Sequence, residues 1–185
     1  MVDSFFEDSI AVSFTIDGAE RFAPPYAILD KEQWIRIANI EYNKILPAFQ
    51  KIYTKEKDET IFEIANNSLL SLLNAHDEVR RAEMLSAAIE LAEWILYNNS
   101  GAALAANIAL MNYYQAIRRE REFTKEEQIE LQRIVEEPSV EEKFKIGAYL
   151  LLGNQVAAEI HFARLSVDEQ ERFKEWPIYH FWGEA

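Results

Sequence analysis

Three histidines, thirty-two carboxylates and no cysteine bound the chemistry open to this chain. Metal ligation on helices needs His, Asp or Glu converging on one face, as in a Glu three residues before a His or two His four apart. His76, His161 and His180 satisfy neither spacing. Glu159 and His161 are two apart, so on a helix they point to different faces. His161, beside Phe162, reads as a half-buried packing residue. No metal and no cofactor are expected. Nucleophilic catalysis has no better footing, since the chain lacks a Gly-x-Ser-x-Gly elbow and a glycine loop to cradle phosphate. Glu83, Glu90 and Glu93 fall on one predicted helix. A solvated helix face explains them, with no apolar pocket indicated to raise a carboxyl pKa. The sequence predicts no catalytic residue and no enzyme.

Binding chemistry concentrates at the C-terminal end, where Phe173, Trp176, Pro177, Ile178, Tyr179, Phe181 and Trp182 fall together. Trp176, Tyr179, Phe181 and Trp182 are candidate partner-binding residues, because Trp and Tyr dominate binding hot spots. The competing reading, preferred here, is that this tail folds back and covers the last apolar stripe of a helix stack. Charge narrows the partner. The chain has 19 basic and 32 acidic side chains, a net charge of −13, and a nucleic-acid duplex repels such a surface. Arg118, Arg119 and Arg121 are interleaved with Glu120 and Glu122. Direct nucleic-acid binding is not expected. Charge alone leaves open the inverse, an acidic inhibitor that occupies another protein's nucleic-acid site, although net charge also simply serves solubility.

These residues need elements to position them. A chain of 185 residues buries about 70% of its unfolded surface as one domain. One helical domain over 1–185 is predicted: a β-hairpin and proline-containing segment over 1–29, helices over 30–175 and the aromatic tail over 176–185. Ile10, Val12, Phe14 and Ile16 alternate with small and polar residues, Asp17-Gly18 supplies a tight turn, and Arg21-Phe22-Ala23 can return. The hairpin is placed at about 9–23 and stops at Pro24-Pro25. Asp30 then caps a helix over about 31–53 whose stripe is Trp34, Ile37, Ala38, Ile45, Phe49 and Ile52, with Pro47 predicted to kink it near residue 43. Asp58 caps a second helix (Ile61, Phe62, Ala65, Leu69, Leu72, Leu73 inward) that should end near Asn74. A third spans about 77–97. The fourth, about 102–122, is apolar almost all round through Met111 and belongs at the centre. Thr124 with Glu127, Ser139 with Glu142 and Ser166 with Glu169 read as capping boxes. Gly153-Asn154 closes a further helix in the left-handed manner. No apolar run approaches the roughly 18 residues of a membrane span, and Met1-Val2-Asp3 begins no basic leader. A soluble, unexported, cytoplasmic chain is expected, with cysteine usage that a reducing compartment permits.

An internal echo links two turns. Tyr97, Gly101, Ala106 and Leu110 repeat as Tyr149, Gly153, Ala158 and Phe162 at a constant offset of 52. The aromatic would pack in the last turn of one helix, Gly would take the turn, and Ala would let the next helix approach closely. This pattern resembles the tetratricopeptide repeat, and the run from Tyr149 to Phe162 is its better match. The resemblance implies stacked helical hairpins. It departs from the family in its offset, which there is about 34, in Tyr113 and Leu165 where a small residue belongs, and in a missing closing proline. Positions that hold Lys and Asn in peptide-carboxylate-binding members include Ala88, Leu91, Ile95, Val140 and Gly147 here, with Lys143 and Asn98-Asn99 the polar remnants. That family's peptide clamp is therefore not implied, and any helix pair joined by Gly would share the four matches.

The sequence thus predicts an all-α fold of stacked antiparallel helical hairpins behind a short N-terminal β-hairpin. Its function reads as a non-catalytic protein-interaction or adaptor module. A protein partner is expected, neither a membrane nor nucleic acid is, and homo-oligomerisation stays open.

Overall fold

The computed structural model describes residues 13–16, 19–22, 31–56, 61–99 and 103–182. Among these residues eight α-helices follow one another: α1 (Lys31–Glu56), α2 (Ile61–Val79), α3 (Ala82–Asn98), α4 (Ala103–Glu120), α5 (Lys125–Glu136), α6 (Glu142–Leu151), α7 (Gln155–Phe162) and α8 (Val167–Lys174). A 3-10 helix at Pro177–Phe181 closes the series, with Pro177 at its first position. The fold is all-α in its body. Ser13–Ile16 pairs antiparallel with Ala19–Phe22, Ser13 opposite Phe22 and Ile16 opposite Ala19. The rest of the expected 9–23 hairpin lies outside the described residues, as do the cap positions Asp30 and Asp58 and the turn glycine Gly101.

Apolar periodicity decides the packing. On α2 the predicted inward set Ile61, Phe62, Ala65, Leu69, Leu72 and Leu73 is buried throughout. It meets Ala38, Ile45 and Phe49 of α1 and Leu85, Ala88, Leu91, Ala92 and Ile95 of α3 in one core. The rings of Phe49, Tyr53, Phe62 and Trp94 pack together there with centroids 5.1 to 6.3 Å apart, Phe49 stacked on Trp94 and Tyr53 edge-on to it. A second core joins α5, α6, α7, α8 and the 3-10 helix around Phe144, Leu131, Ile146, Leu151, Ala158 and Phe173. α4 belongs to both: Ala105, Ala109 and Ala116 face the first core, and Met111 and Tyr114 face the second. A helix apolar on opposite sides must be covered on both.

Local chemistry sets the helix ends. Thr124 and Ser166 form complete capping boxes with Glu127 and Glu169. Ser139 does not. Its hydroxyl donates to Glu137 Oε1 at 2.8 Å, and α6 starts at Glu142 behind Glu141, with no side-chain cap. Nor does Asn74 end the second helix. Its Nδ2 donates to Leu70 O within the helix at 3.0 Å, and α2 continues to Val79. The break comes at Arg80, whose φ of 54° is left-handed; Arg80 N donates to His76 O, and His76 Nδ1 meets Arg81 O at 2.9 Å. An imidazole thus supports a turn that no glycine provides. In α1 the non-helical backbone falls at Glu41 (φ −119°, ψ 21°), two residues before the expected position; the buried Glu41 pairs with Lys44 at 3.2 Å.

The two halves of the echo differ. Gly153 takes a φ of +73°, its neighbour Asn154 donates its N–H to Tyr149 O, and Ala158 is fully buried. Tyr149 is half-buried against His161, with ring centroids 5.0 Å apart, and Phe162 packs on Phe173. Tyr97, by contrast, is 90% exposed and does not pack in the last turn of α3 as expected. Ala106 and Leu110 are half-buried.

Candidate functional site

Where α2, α4 and α6 come together beside the C-terminal segment, they leave a cleft of about 430 Å3. α2 contributes Glu63, Asn66, Asn67 and Leu70, one face at helical spacing. α4 contributes Leu104, Ala105, Ile108, Met111, Asn112 and Gln115, a face three turns long. Lys143, Phe144 and Gly147 come from α6, and Trp176 and Ile178 close the far wall. Gly147 permits that closure: a Cβ there would stand 2.8 Å from Ile178 Cδ1 and 3.4 Å from Met111 Sδ.

Three carboxamides in these walls are each only 2% exposed: Asn66, Asn112 and Gln115. Asn66 Nδ2 donates to Ala105 O at 3.0 Å, and Gln115 Nε2 donates to Asn112 Oδ1 at 2.9 Å. The other end of each amide has no hydrogen-bond partner: Asn66 Oδ1, Asn112 Nδ2 and Gln115 Oε1. A buried polar atom without a partner costs about 1–3 kcal/mol. The three atoms are closed off from solvent as well as from protein partners. The ionisable lining groups are Glu63, which is exposed, and Lys143. Lys143 pairs with Glu141 at 2.8 Å and lies over the Phe144 ring.

The aromatic wall is held from behind by Arg119. Its guanidinium donates twice to the Asp77 carboxylate, at 2.8 Å each, and also to Pro177 O at 3.4 Å and Gln115 O at 3.2 Å. The same group lies 5.0 Å over the Phe181 ring. Burial pushes the Asp77 carboxyl up, but the hydrogen bonds and charge of Arg119 outweigh it and hold the group below its ordinary value. One buried cation therefore ties α2, α4 and the 3-10 helix together behind the cleft.

Of the four aromatic candidates, only Trp176 lines the cleft; it packs on Phe144 and Phe173. Tyr179 packs on Phe173 and Trp182, Trp182 packs on Phe162, and Phe181 lies under Arg119. All four are half-buried on the second core. Sequence reasoning missed Asn66, Asn112 and Gln115. Their signal was a carboxamide in an otherwise apolar stripe.

Elsewhere, His161 Nδ1 meets Glu142 Oε2 at 2.5 Å and Arg164 reaches the other oxygen at 3.2 Å. The His161 hydrogen bond is the main reason that the Glu142 carboxyl lies below its usual range. The Tyr114 hydroxyl donates to Glu130; burial, then that hydrogen bond, pushes the phenol up. Among the described residues no group of three or more metal-ligating side chains converges, and no helix is long and apolar enough to cross a membrane. No family model matches the chain, and no curated protein or solved structure matches it.

Proposed function

We propose that this chain is a non-catalytic protein-interaction module that seats a segment of a partner in the cleft between α2, α4 and α6. The supporting observation is the cleft itself. It is walled by Leu, Ile, Met, Phe and Trp side chains and lined by amides rather than by a coupled acid and base. A concave, mostly apolar site with a few placed polar groups suits binding. The likeness to tetratricopeptide hairpins fits this reading, with helices stacked as antiparallel hairpins, the N-terminal β-hairpin at their start and the aromatic tail serving as both cap and cleft wall. The alternative, an acidic inhibitor that mimics nucleic acid, has less behind it. Many acidic groups are interspersed with bases: Glu127 with Arg121, Glu142 with Arg164, Glu171 with Lys174 and Asp77 with Arg119. Such alternation breaks the single-sign field that mimicry needs.

Asn67 is exposed and Leu104 is 49% exposed, so Asn67→Trp and Leu104→Asp can obstruct the cleft without disturbing either core. The test is affinity capture from source lysate with wild type and both variants. The expected result is a set of proteins held by wild type and lost with both variants at unchanged melting temperature. Retention of every captured protein by both variants would refute the cleft as the binding surface.

A further inference from the structure

We propose that the corner where the C-terminal end of α2 meets the 3-10 helix binds an acidic segment of a protein partner, with Arg80 and His180 receiving its carboxylates. The corner lies behind the cleft, and the proposal does not depend on the cleft reading. The turn after α2 needs a left-handed residue, which is usually Gly or Asn, yet Arg80 stands there with φ 54°. A long side chain is strained in that region. Its contacts give the fold little in return, since the Arg80 side chain is 74% exposed and its guanidinium is 3.8 Å from Asp77 Oδ1. Strain without a matching internal contact points to a role outside the fold.

Charge names the ligand. Asp77 is already engaged, because Arg119 donates to both of its oxygens at 2.8 Å. Burial and Arg119 act most strongly on the Asp77 carboxyl, and the imidazoles of His180 and His76 lie near enough for their charge to act on it as well. One carboxylate therefore faces two guanidinium groups and two imidazoles. His76 meets Arg81 O, whereas His180 is exposed and its ring makes no hydrogen bond among the described residues. No ion pair joins Arg80 or His180 to Glu78 or Glu83 among those residues. Two exposed donors are thus left over in a chain of net charge −13. A carboxylate matches them, since it accepts the planar fork of a guanidinium or an imidazole N–H. Phe181, half-buried under Arg119, offers an apolar surface to an adjoining side chain of the segment. A duplex would set a long line of phosphates against the acidic remainder of the chain, whereas a short peptide meets the corner alone.

The test selects a displayed library of random heptapeptides on the full chain and compares wild type with Arg80→Gly. That variant removes the side chain and the strain together, so it should melt at or above wild type. Peptides held by wild type and lost with Arg80→Gly should be rich in Asp and Glu, and they should still bind Asn67→Trp, whose change lies in the cleft. In synthetic N-acetyl, C-amide versions, replacing the contacting Asp or Glu by its amide should weaken binding about fivefold, and His180→Gln about threefold. The proposal is overturned if no selected peptide depends on Arg80, if the dependent peptides show no excess of acidic residues, or if amide replacement nowhere costs more than about twofold. Loss of the same peptides with Asn67→Trp would place them in the cleft instead. A phosphoserine that binds more than about tenfold tighter than the acidic residue it replaces would make the corner a phosphate site, again against the proposal. Arg80→Gly melting several degrees below wild type would show that Arg80 serves the fold, with the same consequence.

Discussion

Replacing Asp77 with Asn removes one charge from the clamp behind the cleft and leaves its shape intact. The Arg119 side chain is 6% exposed and that of Asp77 is 20% exposed, so the variant strands a nearly buried guanidinium. Breaking a buried pair costs about 3–5 kcal/mol. The residual exposure of Asp77 and the acceptor kept by Asn place the expected loss at the low end, about 3 kcal/mol. For a chain of this size that is roughly 6–12 °C in melting temperature. The pH dependence follows from the lowered carboxyl. A group whose folded pKa lies below its unfolded 3.8 contributes stability that is fully present above 3.8 and lost as pH falls through the folded value. Thermal unfolding by circular dichroism should therefore show the full gap between wild type and Asp77→Asn at pH 7. The gap should shrink as pH falls below 3.8 toward the lower folded value, through which wild type loses the same charge. Asp77→Leu/Arg119→Met, which removes both partners, should recover most of the loss, because no buried charge is left stranded. A loss under about 0.5 kcal/mol at pH 7, within the range of ordinary surface substitutions, or a gap that grows toward acid pH, would refute the clamp.

Ile178→Ala should cost about 2–5 kcal/mol in thermal unfolding, because Ile178 is 2% exposed at the cleft wall; a neutral result would mean that the 3-10 helix does not seal the second core. Thr124→Ala and Ser166→Ala should each lose about 1 kcal/mol in denaturant titration, whereas Ser139→Ala, whose hydroxyl caps no helix, should be close to neutral; equal losses at all three would contradict the assigned helix starts. Ala158→Leu should cost about 1–3 kcal/mol by overpacking, and full tolerance would show that the contact beneath the Gly153 turn is loose.

Signals confined to one helix were legible in the sequence. The spacing of Ile61, Phe62, Ala65, Leu69, Leu72 and Leu73 fixes which side of α2 is buried, because a 3.6-residue period needs no knowledge of the neighbour. Thr124 and Ser166 were readable as caps because both partners lie within three residues. Ser139 satisfies the same pattern but spends its hydroxyl on Glu137, a choice that depends on where the backbone turns. The end of α2 was misread at Asn74 because an Asn can bond back into its own helix, while the true break at Arg80 is supported by the His76 ring. The cleft was hidden for a related reason. Asn66 finds its partner on α4, Asp77 finds Arg119 at 42 residues' separation, and Trp176 becomes a wall only once α6 presents Phe144 and Gly147. No local period encodes such contacts. The aromatic tail was visible as composition, but that Trp176 alone of its four candidates would line the cleft as well as pack on the second core was not.

The most direct measurement sets the stability of Asn67→Trp and Leu104→Asp beside their binding. Both side chains line the cleft from its exposed edge, and surface substitutions usually change stability by no more than about 0.5 kcal/mol. The account predicts that both variants melt within about 2 °C of wild type and lose the proteins that wild type captures. Variants that melt with wild type and still hold every one of those proteins would contradict the cleft as the recognition site.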